Sequence, residues 1–297
     1  MEHSGGSERV EESLSTALGW IGAHLHMFGL GFWRRDADRN AFPYGPLVEL
    51  LQVLNGVPDC ILSKSVNIDN VVSFSRRELT ELRAGGSRSA FVHIGWLELD
   101  SLARKFGVPD RTQDVEDRDS HIEMPGAFLD DLYVMETVGD PSRAGDYDAA
   151  LMRSGLGPRS SGRTITRADA YFLTHLVFYA TRFGRRANTL SSENTAWLAR
   201  ALSAIAASAE VQSNLDLLAE CEASRALLEP GRPSNPFREH LAETVNARGF
   251  LPANAAMANS ISQLSRDEVF RGSYHATLAF ILMGSATSRP WNLAALA

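Results

Sequence analysis

Apolar residues recur along most of the chain with the period of an amphipathic helix. In the N-terminal stretch, for example, Leu14, Leu18, Ile21 and Leu25 fall on one helical face. The same period predicts helices over residues 11–28, 46–55, 69–83, 89–106, 125–138, 148–154, 166–184, 192–208, 211–229, 237–247 and 269–283. Because no stretch shows the alternation of a strand or the turn of a hairpin, the pattern predicts an all-α fold.

Roughly ten or more helices are predicted, at intervals of about 20 to 35 residues, which is too uneven for a tetratricopeptide or HEAT repeat. We therefore expect an α/α toroid of paired helices, with an irregular α-solenoid as the alternative. Residues 1–8 are predicted to be a disordered N-terminal lead, and residues 9–297 to form a single all-α domain.

The stretch 166–184 has a helix start, an apolar body and a helix stop. Thr166 followed three residues later by Asp169 is close to a capping box. Gly184 is typical of the C-terminal end of a helix. Because the residues between them are apolar on almost every face, we expect this helix to be buried all round.

A polar stripe runs along this predicted helix. Tyr171, His175, Phe178 and Arg182 share one face at helical spacing, and Tyr179 lies beside them. Buried polar groups need hydrogen bonds, water or a ligand, so the stripe is the best candidate site in the chain. The alternative is that His175 is a core histidine whose ring is satisfied by backbone carbonyls.

Two further predicted helices carry polar residues on an apolar background. Asp216 and Glu220 are one turn apart in a segment rich in Leu and Ala, and Tyr274 and His275 lie on the last predicted helix, 269–283. The alternative interpretation is a solvated face for the two acids and a surface position for the histidine. If the three patches instead meet, we expect Tyr171, His175, Asp216, Glu220 and His275 to line one common pocket.

The chemistry of such a pocket follows from its residue types. A carboxylate within reach of an imidazole makes a general acid/base pair, and Arg182 suits a carboxylate, phosphate or sulfate group. We predict His175, Asp216 and Tyr171 as catalytic residues, with Tyr179, Arg182, Glu220, Tyr274 and His275 binding the substrate.

No common metal or cofactor motif is present. The sequence has no HExxH, GxSxG, P-loop or GxGxxG pattern, and none of the 8 histidines forms an i, i+4 pair. We therefore predict no metal and no cofactor, while a metal held by remote ligands stays open.

Composition narrows the class of protein. A formal charge of −7 and a pI near 5.6 argue against a nucleic-acid partner, which needs clustered basic residues. The 2 cysteines are too few for a disulfide framework. No secretory signal or long apolar run is present, so no membrane association and a cytoplasmic location are expected.

The stretch from Asp169 to Gly184, DAYFLTHLVFYATRFG, resembles a DxYxLTHxxFYxTDFG-like motif of an uncharacterised actinobacterial family encoded in biosynthetic gene clusters. Arg182 departs from that motif, which has an acid at this position. The blocks around Asp216 and Tyr274 are similar to further parts of the family. The resemblance extends loosely to aziridine-forming cyclases of azinomycin-like pathways, and implies secondary metabolism, such as antibiotic biosynthesis.

Together these observations predict a metal-independent enzyme of natural-product biosynthesis. Its expected reaction is acid/base-assisted cyclisation or elimination on a small polar substrate that is free or tethered to a carrier protein. The alternative is a non-catalytic peptide- or protein-binding scaffold, or one subunit of a heteromeric complex. The acidic run 110–123 and the aromatic stretch 32–46 are its candidate contact surfaces.

Overall fold

The computed structural model describes residues 4–33, 44–85, 87, 89–109, 128–138, 145–158, 164–211 and 213–288. Within these ranges the regular elements are helices and no strand is present, so the predicted all-α fold is confirmed. The α-helices are α1 Ser4–Ala23, α2 Leu30–Trp33, α3 Gly45–Gly56, α4 Asp59–Ser65, α5 Ile68–Ala84, α6 Ala90–Lys105, α7 Phe128–Val138, α8 Tyr147–Arg153, α9 Arg167–Ala180, α10 Ser192–Val211, α11 Leu215–Leu228, α12 Pro236–Arg248, α13 Ala255–Ser260, α14 Arg266–Arg271 and α15 Tyr274–Thr287.

The helix boundaries differ from the prediction mainly at the chain start and in short elements. Helix α1 begins at Ser4, inside the stretch predicted to be disordered, and it ends at Ala23, before the predicted end at residue 28. Helices α2, α4 and α13 were not predicted, and α14 was predicted only in part, as the start of the helix 269–283. Such short helices display little of a helical period, although α8, with seven residues, was predicted.

The chain divides into two compact units. The first comprises Met1–Ile21, Gly56–Ser65 and Asp146–Ala297, and the second comprises Gly22–Asn55 and Val66–Gly145. The single all-α domain over residues 9–297 and the toroid arrangement both stay predictions.

Helix α11 forms the centre of the first unit. It packs against α9, α10, α12 and α15, and every residue of it except Asp216 is buried. Helix α15 is likewise buried from Ala276 to Ala286. This enclosure is expected for α15, which is apolar on almost every face, whereas α11 is enclosed although it carries Glu220, Glu222 and Arg225.

Helix α9 is less enclosed than the sequence indicated. The capping box is confirmed: the Thr166 Oγ1 accepts from the Asp169 backbone N–H, and the Asp169 carboxylate accepts from the Thr166 N–H. However, Arg167 and Ala168 at the start of the helix are exposed, and Tyr171, Phe172 and His175 are only partly buried. The expectation of a helix buried all round is therefore wrong for α9 and describes α11 instead.

The end of α9 comes earlier than predicted. The helix stops at Ala180, and Arg182 and Phe183 adopt left-handed backbone conformations with φ of 47° and 54°. The side chain of Arg186 turns back and donates to the carbonyl of Ala180 at 2.8 Å. A basic group at this position satisfies the last carbonyls of the helix.

The second unit contains α5, packed on α6, and α6, packed on α7. Two buried carboxylates of this unit accept hydrogen bonds from residues that are distant in the sequence. The Glu78 Oε2 accepts from the Leu30 N–H at 3.0 Å, and the Glu98 Oε2 accepts from the Asn55 amide at 2.8 Å. These bonds satisfy acids that would otherwise be costly to bury.

Two predictions about surfaces lie largely outside the described residues. The acidic run 110–123 is not among them, nor are residues 34–43 of the aromatic stretch 32–46. No helix in the described part of the chain combines the length and hydropathy needed to span a membrane.

Candidate functional site

The candidate site is built on the first two turns of α11. The Asn214 side chain caps this helix by accepting from the Leu217 N–H at 3.2 Å. Asp216 and Glu220 follow, one turn apart, and so share a face of α11. The side chain of Asp216 is 13% exposed and that of Glu220 is 1% exposed.

Both carboxylate oxygens of Asp216 are hydrogen-bonded to residues from other helices. The Tyr171 hydroxyl on α9 donates to Oδ2 at 2.7 Å. The Nδ1 of His275 on α15 lies 2.8 Å from Oδ1. Because an ionised carboxylate only accepts, this contact favours the imidazole tautomer with its proton on Nδ1. Nε2 of His275 then carries the lone pair.

The electrostatics of Asp216 reflect these partners. Burial raises the pKa of the Asp216 carboxyl, but His275, Tyr171 and Arg167 together outweigh burial and hold this pKa below its ordinary value. The pKa of the Tyr171 hydroxyl is raised, first by burial and then by the negative charge of Asp216. The site thus favours an ionised aspartate beside a protonated tyrosine.

Glu220 lies deeper than Asp216. The Thr174 hydroxyl on α9 donates to its Oε2. Its other oxygen, Oε1, lies 3.7 Å from Nε2 of His175 and 3.7 Å from Nε2 of His275. This oxygen is buried and accepts no hydrogen bond from the described residues.

The exposed side of the site is formed by imidazole rings. The side chains of His175 and His275 are 38% and 36% exposed, so solvent reaches the two rings while Glu220 stays enclosed. Tyr179 packs against His175 with ring centroids 6.0 Å apart, and Tyr274 lies edge-on to His275 at 6.1 Å. We call Tyr171, His175, Asp216, Glu220 and His275 the carboxylate–histidine cluster.

Comparison with known families identifies the part of the chain that carries this cluster. Residues 120–285 match the family described as "Domain of unknown function (DUF6895)". The chain belongs to this family. All five cluster residues lie inside the DUF6895 region. No curated protein and no solved structure matches the chain.

The meeting of residues from three helices agrees with the sequence analysis. Within the DUF6895 region, direct contacts join Tyr171 and His275 to Asp216, and Glu220 lies between the two imidazoles. Burial excludes the solvated-face alternative for Glu220. The enclosing pocket, the catalytic and substrate-binding roles and the resemblance to biosynthetic-cluster proteins stay predictions.

Arg182 does not belong to the stripe on which it was placed. Since α9 ends at Ala180 and the backbone then turns left-handed, Arg182 does not continue the helical face of Tyr171 and His175. Its predicted position on the helical stripe is therefore wrong. The reason is that side-chain periodicity holds only while the backbone stays helical.

Two residues of the site were missed by the sequence analysis. Thr174 holds Glu220, and Arg167 donates to the Tyr171 hydroxyl at 3.4 Å. Thr174 directly precedes His175, and adjacent helical residues face different directions, so the stripe did not include it. Arg167 lies four residues before Tyr171, a spacing that could have indicated contact.

Proposed function

We propose that this DUF6895 protein is an enzyme that moves a proton on a small polar substrate, with the carboxylate–histidine cluster as its active site. The observation that carries the proposal is the 2.8 Å contact between Asp216 Oδ1 and His275 Nδ1. A carboxylate on Nδ1 orients the ring, leaves Nε2 as the basic atom, and stabilises the imidazolium that forms when Nε2 takes a proton.

The exposure of the side chains supports this assignment. The two imidazoles are about a third exposed, at 38% and 36%, while the carboxylates beneath them are 13% and 1% exposed. A substrate can therefore reach the bases, and the fixed negative groups behind them stabilise positive charge that develops on the rings. Tyr171, with its raised pKa, keeps its proton and can donate a hydrogen bond.

The reaction class proposed is ring closure or elimination in natural-product biosynthesis. In ring closure, an amine nitrogen attacks a carbon, the leaving group departs with the bonding electrons, and the imidazole takes the N–H proton. In elimination, the imidazole takes a C–H proton, the C–H electrons form a carbon–carbon double bond, and the leaving group departs from the neighbouring carbon with its bonding electrons. This class rests on the acid/base character of the cluster and on the resemblance of the Asp169–Gly184 stretch to biosynthetic-cluster proteins. A carrier protein or a partner subunit that presents the substrate is part of the same proposal.

The test compares metabolite conversion by matched variants. Purified wild type, His275→Gln and His240→Gln are each incubated with an extract of native-host cells that lack this protein, containing both metabolites and carrier proteins, and the products are followed by mass spectrometry. His240 is exposed on α12 and is no part of the cluster, so it is the control. We expect wild type and His240→Gln to convert the same compound and His275→Gln to lose at least about 100-fold in rate. An extract left unchanged by wild type, or converted equally by His275→Gln, overturns the proposal.

A further inference from the structure

Three atoms of the cluster form a constellation typical of a metal site. Nε2 of His175 on α9, Oε1 of Glu220 on α11 and Nε2 of His275 on α15 all lie within 4.8 Å of one another. We propose that these three residues bind one divalent transition-metal ion, with Zn²⁺ as the best-suited ion. The inference rests on the proposed function, since it places the metal in the same active site.

The surroundings of the Glu220 carboxylate favour a bound cation. Its Oε1 is buried and receives no hydrogen bond from any described residue, while Thr174 donates to Oε2. A buried carboxylate oxygen without a donor is unfavourable. It lies instead at equal distances of 3.7 Å from two imidazole nitrogens. A cation between these three atoms would satisfy the oxygen.

The hydrogen bonds around His275 and Glu220 also favour a metal site. Protein-bound metals are commonly held by a histidine whose other ring nitrogen donates to a carboxylate. Asp216 holds Nδ1 of His275 in this way, which directs the lone pair of Nε2 toward Glu220. Tyr171 in turn holds Asp216 by a hydrogen bond. Thr174 donates to Oε2 of Glu220, so Oε1 is the oxygen that can bind a metal. Asp216 and Thr174 are therefore positioning residues.

The spacing of the donor atoms is close to that of the ligands of a zinc ion. Ligand atoms about 2.0 to 2.2 Å from a tetrahedral Zn²⁺ lie about 3.4 Å from one another. The two nitrogen–oxygen distances of 3.7 Å exceed this by only a few tenths of an ångström. Two imidazoles and one carboxylate suit Zn²⁺ and similar first-row ions rather than Mg²⁺ or Ca²⁺. Three protein ligands also leave a coordination position for substrate.

The proposal differs from the expectation of a metal-free site. That expectation followed from the lack of a histidine pair at i, i+4, but the ligands here come from three helices. A bound metal would act as a Lewis acid toward the substrate. As a metal ligand, Nε2 of His275 would not act as the base of the proposed reaction, and Asp216 would keep its role of orienting the imidazole.

The test is direct titration with metal. Protein freed of metal by EDTA and dialysis is titrated with Zn²⁺ alone by calorimetry, and with Co²⁺ as a visible-absorption probe. We expect one ion per chain in wild type and in the control His240→Gln. His175→Gln and Glu220→Gln should weaken binding by more than about 100-fold, and Asp216→Asn by about 10- to 100-fold with a shifted Co²⁺ spectrum. Circular dichroism of each metal-free variant establishes that it is folded. Because the His175 side chain is 38% exposed, its substitution should not disturb folding, and His175→Gln carries the test if Glu220→Gln does not fold.

Each outcome decides the inference. Fewer than one ion bound by wild type, or equal affinity in His175→Gln and His240→Gln, overturns the metal site. If metal does not bind but conversion still depends on His275, the proposed function stands without the metal. If one ion binds and no metabolite is converted, the metal site stands and the proposed function fails.

Discussion

Nδ1 of His275 lies 2.8 Å from Oδ1 of Asp216, although the two residues are 59 positions apart in the sequence. The other oxygen of Asp216 accepts from Tyr171, so the carboxylate cannot turn away from the imidazole without breaking a second bond. The orientation of His275 is thus fixed by side chains on two other helices.

This relationship predicts a defined tautomer for His275. In wild type at neutral or higher pH, the neutral ring should carry its proton on Nδ1, because Asp216 accepts only from an N–H. In Asp216→Asn the preference should weaken toward a mixture, since the amide can donate as well as accept. Long-range ¹H–¹⁵N correlation spectra of imidazole nitrogens measure this, with His240 as an internal reference. An unchanged His275 pattern in Asp216→Asn would contradict the prediction.

The Thr174 hydroxyl should stabilise the fold through Glu220. Thr174→Val removes the donor to a buried carboxylate and keeps the side-chain shape, so we expect a loss of about 1–3 kcal/mol in the free energy of unfolding. In a Glu220→Gln background the same change should cost less, by at least about 0.5 kcal/mol. Urea denaturation of the four proteins in this cycle is the measurement, and strictly additive effects would sink the idea.

A second buried carboxylate, Glu222, should be more important for stability than any surface pair. It accepts from Arg225, from Arg238 at 2.9 Å and from Asn235 at 2.8 Å, and its side chain is 0% exposed. Glu222→Gln leaves two buried guanidinium groups with one neutral partner, so we expect a cost of about 3–5 kcal/mol.

The matched control for Glu222 is an exposed pair with the same i, i+3 spacing. Glu229 and Arg232 are 39% and 40% exposed, so Glu229→Gln should change the free energy of unfolding by at most about 1 kcal/mol. Urea denaturation distinguishes the two, and equal effects of the two substitutions would show that burial does not determine the cost.

The two cysteines should differ in reactivity. Cys60 is exposed and Cys221 is buried inside α11. A disulfide reagent such as DTNB should modify one thiol rapidly in the native protein and a second only on unfolding, because Cys221 is enclosed. Cys60→Ser should abolish the rapid phase. Rapid modification of both thiols in native protein would mean that α11 opens locally.

Local features of this protein were determined by the sequence alone. The capping box of Thr166 and Asp169 was predicted correctly because both residues lie in one helical turn and act on each other. The all-α class followed from helical periodicity, which depends on neighbouring positions. The shared face of Asp216 and Glu220 is also local, since it needs only that α11 is a helix.

The identity of the most enclosed helix was decided by tertiary packing. The apolar composition of the stretch 166–184 favoured α9 as the buried element, but α11 is enclosed by four neighbouring helices. The residue composition of a helix shows whether the helix can be buried. Whether it is buried depends on how many neighbouring helices pack around it. The left-handed turn at Arg182 and Phe183 was not indicated by the residue types, because residues other than glycine seldom adopt a positive φ.

The chemistry of the candidate site was likewise decided by tertiary packing. The sequence showed Glu220 and His275 as polar residues on apolar helices, and it allowed the hypothesis that they meet. Only the packing of α9, α11 and α15 brings Oε1 of Glu220 to 3.7 Å from both imidazole nitrogens. Spacing along the chain reports which residues share a helix face. Distances between helices arise from side-chain packing across the core, and no one-dimensional pattern records them.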